Sequence, residues 1–184
     1  MVAGFRGLTQ RGQTQALVLR SVRCDCTDLL AAGVNASPIS NRADVPLRSH
    51  RYKVSLEGTR PDPGIPDRGW IGMDVRWLVT KETVGATETV FGVTTFPPGA
   101  RHELHRHPNA EEVEYIVVGS GVAYVGDDAI ELGPGEAVFV PRDTYHGFEN
   151  TSSESVVMAW TYAGAASLDE AGFATLREDD ALAG

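Results

Sequence analysis

Between Trp70 and Tyr162 the chain is cut into short runs rich in valine, threonine and aromatic residues. They cover 73–80, 88–96, 112–118, 122–125, 137–140 and 156–162. Turn signals separate them: Pro97-Pro98-Gly99, His107-Pro108-Asn109, Gly119-Ser120-Gly121, Gly126-Asp127-Asp128, Gly133-Pro134-Gly135 and Glu149-Asn150-Thr151. Strands this short and this evenly spaced predict an all-β antiparallel sandwich or barrel. Twenty glycines and ten prolines, scattered along 184 residues, suit many turns better than a helical bundle.

The segments outside this region read differently. Residues 1–69 form an N-terminal extension with weak patterning. One short helix is signalled there, over 28–32, with Thr27 as its cap and Gly33 as its stop. A Pro/Gly/Asp-rich loop at 59–70 holds no regular structure. The barrel domain spans 70–163. After it, Ser167 and Glu170 read as a capping box opening a short helix to about Leu176, and the acidic end from Glu178 reads as frayed.

Charge and cysteine content exclude some functions. Residues 1–100 carry 12 Lys/Arg against 9 Asp/Glu, whereas residues 101–184 carry 4 against 16. An acidic surface repels phosphates, so nucleic acid is not an expected partner. No stretch is long and apolar enough for a membrane span, and the apolar run at 16–19 is too short for a signal peptide. Cys24 and Cys26 have no second pair to complete a zinc site. The expectation is a reduced, cytoplasmic protein that meets neither membrane nor nucleic acid.

The chemistry concentrates in HELHRHPNAEEVEY, residues 102–115. Side chains two apart on a strand share a face, so His105 and His107 point together while His102 points away as a rim residue. The Pro-Asn turn then returns the chain, and a carboxylate can approach the same point. Parity does not choose between Glu111 and Glu112, because the turn resets the register. Downstream, GEAVFVPRDTYHGFEN brings His146 to the start of another segment.

Together these stretches resemble the cupins. The first cupin motif is met by Gly99, His105, His107, Glu112 and Gly119. The second is met by Gly135, Pro141, His146 and Asn150, with Asp143 in place of a glycine. Asp tolerates the left-handed turn that glycine usually supplies. Counting back from Gly119 selects Glu112. The resemblance implies a double-stranded β-helix, or jelly roll, with His105, His107, Glu112 and His146 around a divalent metal. It also implies a homodimer formed through paired sheets.

Three imidazoles and one carboxylate suit Fe(II), Mn(II) or Ni(II), and admit Zn(II) or Cu(II). The leading expectation is an iron-dependent dioxygenase acting on a small organic substrate. The alternatives are a non-redox isomerase, lyase or cyclase, and a non-catalytic small-ligand cupin. The last is favoured if Trp160 and Phe148 fill the pocket. Glu114 shares the face of Glu112 and is the candidate general acid or base; Tyr115 faces away. Phe148, Met158 and Trp160 are candidate pocket walls, and Arg101 and Arg106 flank the motif as candidate carboxylate binders. His50 has no assigned role.

Overall fold

In the computed structural model the described residues are 50–176, 178 and 179. The helix expected over 28–32, together with Cys24 and Cys26, lies outside them. The strands are β1 (Trp70–Ile71), β2 (Asp74–Val79), β3 (Thr89–Phe96), β4 (Arg101–Arg106), β5 (Glu111–Val118), β6 (Gly121–Val125), β7 (Asp128–Leu132), β8 (Ala137–Val140), β9 (His146–Glu149), β10 (Val156–Ala163) and β11 (Ala174–Thr175). They form two antiparallel sheets. One runs β2-β3-β10-β5-β8; the other runs β1-β4-β9-β6-β7, with β11 also paired to β4.

From β3 to β10 the chain changes sheet at every connection except the β6–β7 hairpin. This is the winding of the expected jelly roll. All six runs anticipated from composition are strands. Those missed are β1, β7, β9 and β11, which are short or polar, and β4, whose sequence Arg-His-Glu-Leu-His-Arg lacks apolar alternation.

The inner faces interdigitate as period-2 strands require. Val90, Thr94 and Phe96 of β3, Val138 and Val140 of β8, and Met158, Trp160 and Tyr162 of β10 are all buried. Phe96 and Phe148 cross the sandwich with ring centroids 4.9 Å apart. Burying each such ring contributes on the order of 2–3 kcal/mol. Opposite Trp160 in the β3–β10 register stands Gly92, where an added Cβ would fall 2.2 Å from the indole. Glycine is therefore what lets the tryptophan lie over the sheet.

Two turns carry the cupin motif residues. Asp143 has φ 61°, the one positive φ among described non-glycine residues, so it adopts the conformation expected where the motif has glycine. Asn150 is fully buried. Its amide donates to the carbonyls of Phe96 and Glu154, and its oxygen accepts from the backbone and hydroxyl of Ser152. It closes the β9–β10 turn.

The helices are single turns. Thr80 caps α1 (Lys81–Val84) with a reciprocal bond to Thr83. Ser167 caps α2 (Leu168–Ala171) as expected, but the helix stops at Gly172 rather than near Leu176, and β11 follows. Glu170 binds the Ala166 amide and Lys81 instead of closing a capping box.

Candidate metal centre

On β5 the usual burial order is inverted. Glu112, Glu114 and Ile116 point into the sandwich, while Val113, Tyr115 and Val117 face outward and are exposed. Placing two carboxylates inside costs free energy unless partners meet them. The partners come from β4 and β9. His105 lies on β4, His107 in the turn after it, and His146 opens β9 opposite His105.

The ligand atoms of His105, His107, Glu112 and His146 all lie within 4.8 Å of one another, and all four residues are buried. Each imidazole is oriented by a backbone carbonyl at Nδ1: Glu103 for His105 at 2.9 Å, Gly172 for His107 at 2.6 Å, and Thr144 for His146 at 3.0 Å. A carbonyl only accepts, so each Nδ1 donates and each Nε2 turns inward. His146 Nε2 lies 2.9 Å from Glu112 Oε2, and His107 Nε2 lies 3.5 Å from the same oxygen.

A divalent cation fits this set. The buried Nε2 of His107 has no hydrogen-bond partner, so its lone pair points into the cluster with nothing to meet it. His146, in contrast, faces an acceptor at both ring nitrogens and so holds two protons. Burial opposes that charge, but the hydrogen bond and charge of Glu112 hold its pKa up at about 9. Burial depresses His105 and His107. Two neutral imidazoles, one exchangeable proton and one carboxylate are what a metal ion replaces or binds.

Glu114 is buried beside them, not at a solvent-facing rim. Burial and then the Glu112 charge raise its pKa. It shares an interior cavity of about 20 Å³ with Glu112, His102, Trp70, Trp77, Met158, Trp160 and Tyr162. Trp77 and Trp160 meet edge to face at 4.9 Å, and the Trp160 indole donates to Thr94 Oγ1 at 2.9 Å.

The placement of His102 corrects the expectation from strand parity. The β4–β9 register shifts between His102 and His105, and this bulge turns His102 onto the inner face. Its ring stacks on His105 at 3.7 Å, and its Nε2 is buried without a partner. Arg101 stands apart from this interior. It pairs with Glu103 at 3.1 Å and borders a second cavity of about 470 Å³, lined also by His102, Tyr124, Phe148 and Glu149, so that His102 stands between the two cavities. Arg106 binds Asp179 at 2.8 Å and also Asp143.

The residue most clearly missed from sequence is Phe173. Its ring packs on His102, His105 and His107, with centroids 5.9, 4.9 and 5.9 Å away. An aromatic residue just after the Gly172 helix stop was the available signal.

Residues 92–162, which contain all four candidate ligands, match the family model described as Cupin domain. Protein SchB of Streptomyces halstedii is 37% identical over 87 residues, 47% of this chain and 63% of that protein. Polyketide synthase CurC of Streptomyces cyaneus is 34% identical over 89 residues, 48% of this chain and 58% of that protein. The chain thus spans about three-fifths of the length of these relatives. Among solved structures, the polyketide cyclase RemF from Streptomyces resistomycificus superposes with a TM-score of 0.53 at 23% identity, covering 70% of this chain and 84% of that one. Among the described residues, no helix is long and apolar enough to cross a membrane.

Proposed function

We propose that this chain, whose residues 92–162 match the cupin domain and whose candidate ligand cluster is buried and convergent, is a metal-dependent, non-redox enzyme of the cyclase or lyase type. Its substrate would be a small enolisable polyketone, and it would act as a homodimer. One observation carries the reading: β5 places Glu112 among three oriented imidazoles and Glu114 on the cavity beside them, at the expense of leaving Val113, Tyr115 and Val117 outside. The polyketide part rests on the named relatives. It displaces the iron-dependent dioxygenase expectation in favour of the non-redox alternative.

His105, His107, Glu112 and His146 would hold the ion, which when bound supplies a Lewis acid for a substrate oxygen. Glu114, buried beside Glu112, would exchange a proton with a carbon next to that oxygen. The Nε1 of Trp70 and the Nε2 of His102, both buried without partners and both on residues lining the cavity, are left to meet polar atoms of a ligand. Trp77, Trp160 and Tyr162 supply apolar walls. The outward apolar face of β5, continued by Phe139 of β8 and Phe91 of β3, is the surface for the second subunit.

The cavity volume favours a second reading. About 20 Å³ holds roughly one water. A cupin so filled by Trp160 and its neighbours suits a non-catalytic protein binding a very small ligand. Incubating zinc- or manganese-loaded protein with linear poly-β-ketone substrates under argon decides between them. Ring closure, followed by absorbance and mass, supports the enzyme. No turnover under argon together with stoichiometric oxygen uptake by the iron-loaded protein would restore the dioxygenase. No turnover in either gas would leave the binding protein.

A further inference from the structure

Residues 172–176, 178 and 179 lie beyond the span that matches the cupin domain, yet they touch its candidate metal centre at several points. The Gly172 carbonyl accepts from His107 Nδ1 at 2.6 Å, and Phe173 packs on three imidazoles. Immediately after it, β11 pairs along the ligand strand, with Thr175 opposite His105 and Ala174 opposite Arg106. Two sets of bonds then fasten the segment's far end. Glu178 meets Arg68 at 2.9 Å and caps the Thr175 amide and hydroxyl at 2.9 Å each. Asp179 meets Arg106 at 2.8 Å and also the Tyr145 hydroxyl. Arg68 completes the fastening: it donates to the Phe173 carbonyl at 2.6 Å and lies 4.7 Å over the Phe173 ring. The acidic end is thus held through Asp179, not frayed from Glu178 as its composition implied.

We infer that residues 172–176, with Glu178 and Asp179, form a clasp that closes the histidine side of the centre. Gly172 positions His107, Phe173 shields the imidazoles, and Glu178 and Asp179 are the latch that sets how often they open to solvent. The clasp is built to open more readily than the barrel. Its fastenings are partly exposed ion pairs, which are individually weak and salt-sensitive, whereas the strands beneath are ladder-bonded and buried. Opening would free the His107 Nδ1 partner and uncover the His105 and His107 rings in one movement, so that ion exchange and access become coupled to the latch. Only the statement that an ion is what the clasp retains rests on the proposed metal reading.

The test uses full-length, metal-free protein treated with diethyl pyrocarbonate, with modification of each histidine followed by mass spectrometry. Exposed His50 serves as the internal reference. Wild-type His105 and His107 should react far more slowly than His50. In the Glu178→Gln/Asp179→Asn double variant and in Phe173→Ala, their rates relative to His50 should rise about fivefold, the scale of two surface ion pairs lost together. Should a variant fail to fold, about 1 M NaCl on the wild type screens the latch and gives the same rise. Ratios unchanged in both variants and in salt overturn the clasp. In parallel, zinc-loaded variants should release Zn(II) to a chelator faster than wild type. A wild type that takes up no zinc refutes the metal reading, while the histidine ratios still decide the clasp.

Discussion

Replacing Glu112 with Gln tests the register of β5 and the ligand set together. The substitution keeps size and removes one negative charge. In the folded chain Glu112 Oε2 is 2.9 Å from His146 and 3.5 Å from His107, and the residue is about 6% exposed. Glu111, one residue earlier, is exposed on the opposite face. Disturbing a group that merely orients a metal ligand weakens metal binding by about 10–100-fold. Loss of an anionic ligand should exceed that range, so Glu112→Gln should weaken Zn(II) by more than about 100-fold, or about 2.7 kcal/mol. Glu111→Gln should change it less than about twofold, as a solvated surface carboxylate does. Competition against a chromophoric chelator measures both. Equal weakening by the two variants, or no weakening by Glu112→Gln, would show that the carboxylate is not a ligand.

Above the ordinary histidine range, where the depressed His102, His105 and His107 are neutral both folded and unfolded, metal-free protein should lose stability as pH rises. The folded-state pKa of His146 stands near 9 against an ordinary 6.5, a gap of about 3 kcal/mol, so this contribution is complete below pH 6.5 and vanishes as pH passes 9. Glu114, raised by burial, acts in the same direction, and a melting profile flat or rising over that window would contradict the assignment. Gly92→Ala should cost about 1–3 kcal/mol by forcing its Cβ into the Trp160 indole, read from denaturant midpoints. If the proposed dimer forms through this face, Val113→Asp combined with Phe139→Asp, on exposed paired positions of β5 and β8, converts it to monomer in light scattering while Zn(II) binding persists; a dimer that survives both substitutions contradicts the assignment of this face.

The strands with clear Val, Thr and aromatic content were legible because half-buried strands need those residues on one face. Of the strands that carry the site, β5 was legible in this way, whereas β4 and β9 were not, because they bury histidines where a strand normally buries aliphatics. The convergence of His105, His107, Glu112 and His146 was legible from motif spacing, which survives local irregularity. Parity does not, and the bulge between His102 and His105 is why His102, the first histidine of the stretch, was misplaced. Burial of Glu114 followed from its shared parity with Glu112 along an unbroken β5. The clasp was hidden for another reason: Gly172, Phe173, Glu178 and Asp179 act through contacts with Arg68, Arg106 and His107, far away in the chain.

The central claim is that His105, His107, Glu112 and His146 converge on one divalent ion. Metal-edge X-ray absorption on protein loaded with Zn(II) or Mn(II), with bound metal counted by elemental analysis, tests it directly. One ion per chain with about three imidazole nitrogens and carboxylate oxygen in its shell is the predicted result. No retained ion, or an ion whose shell lacks imidazole scattering, would contradict it.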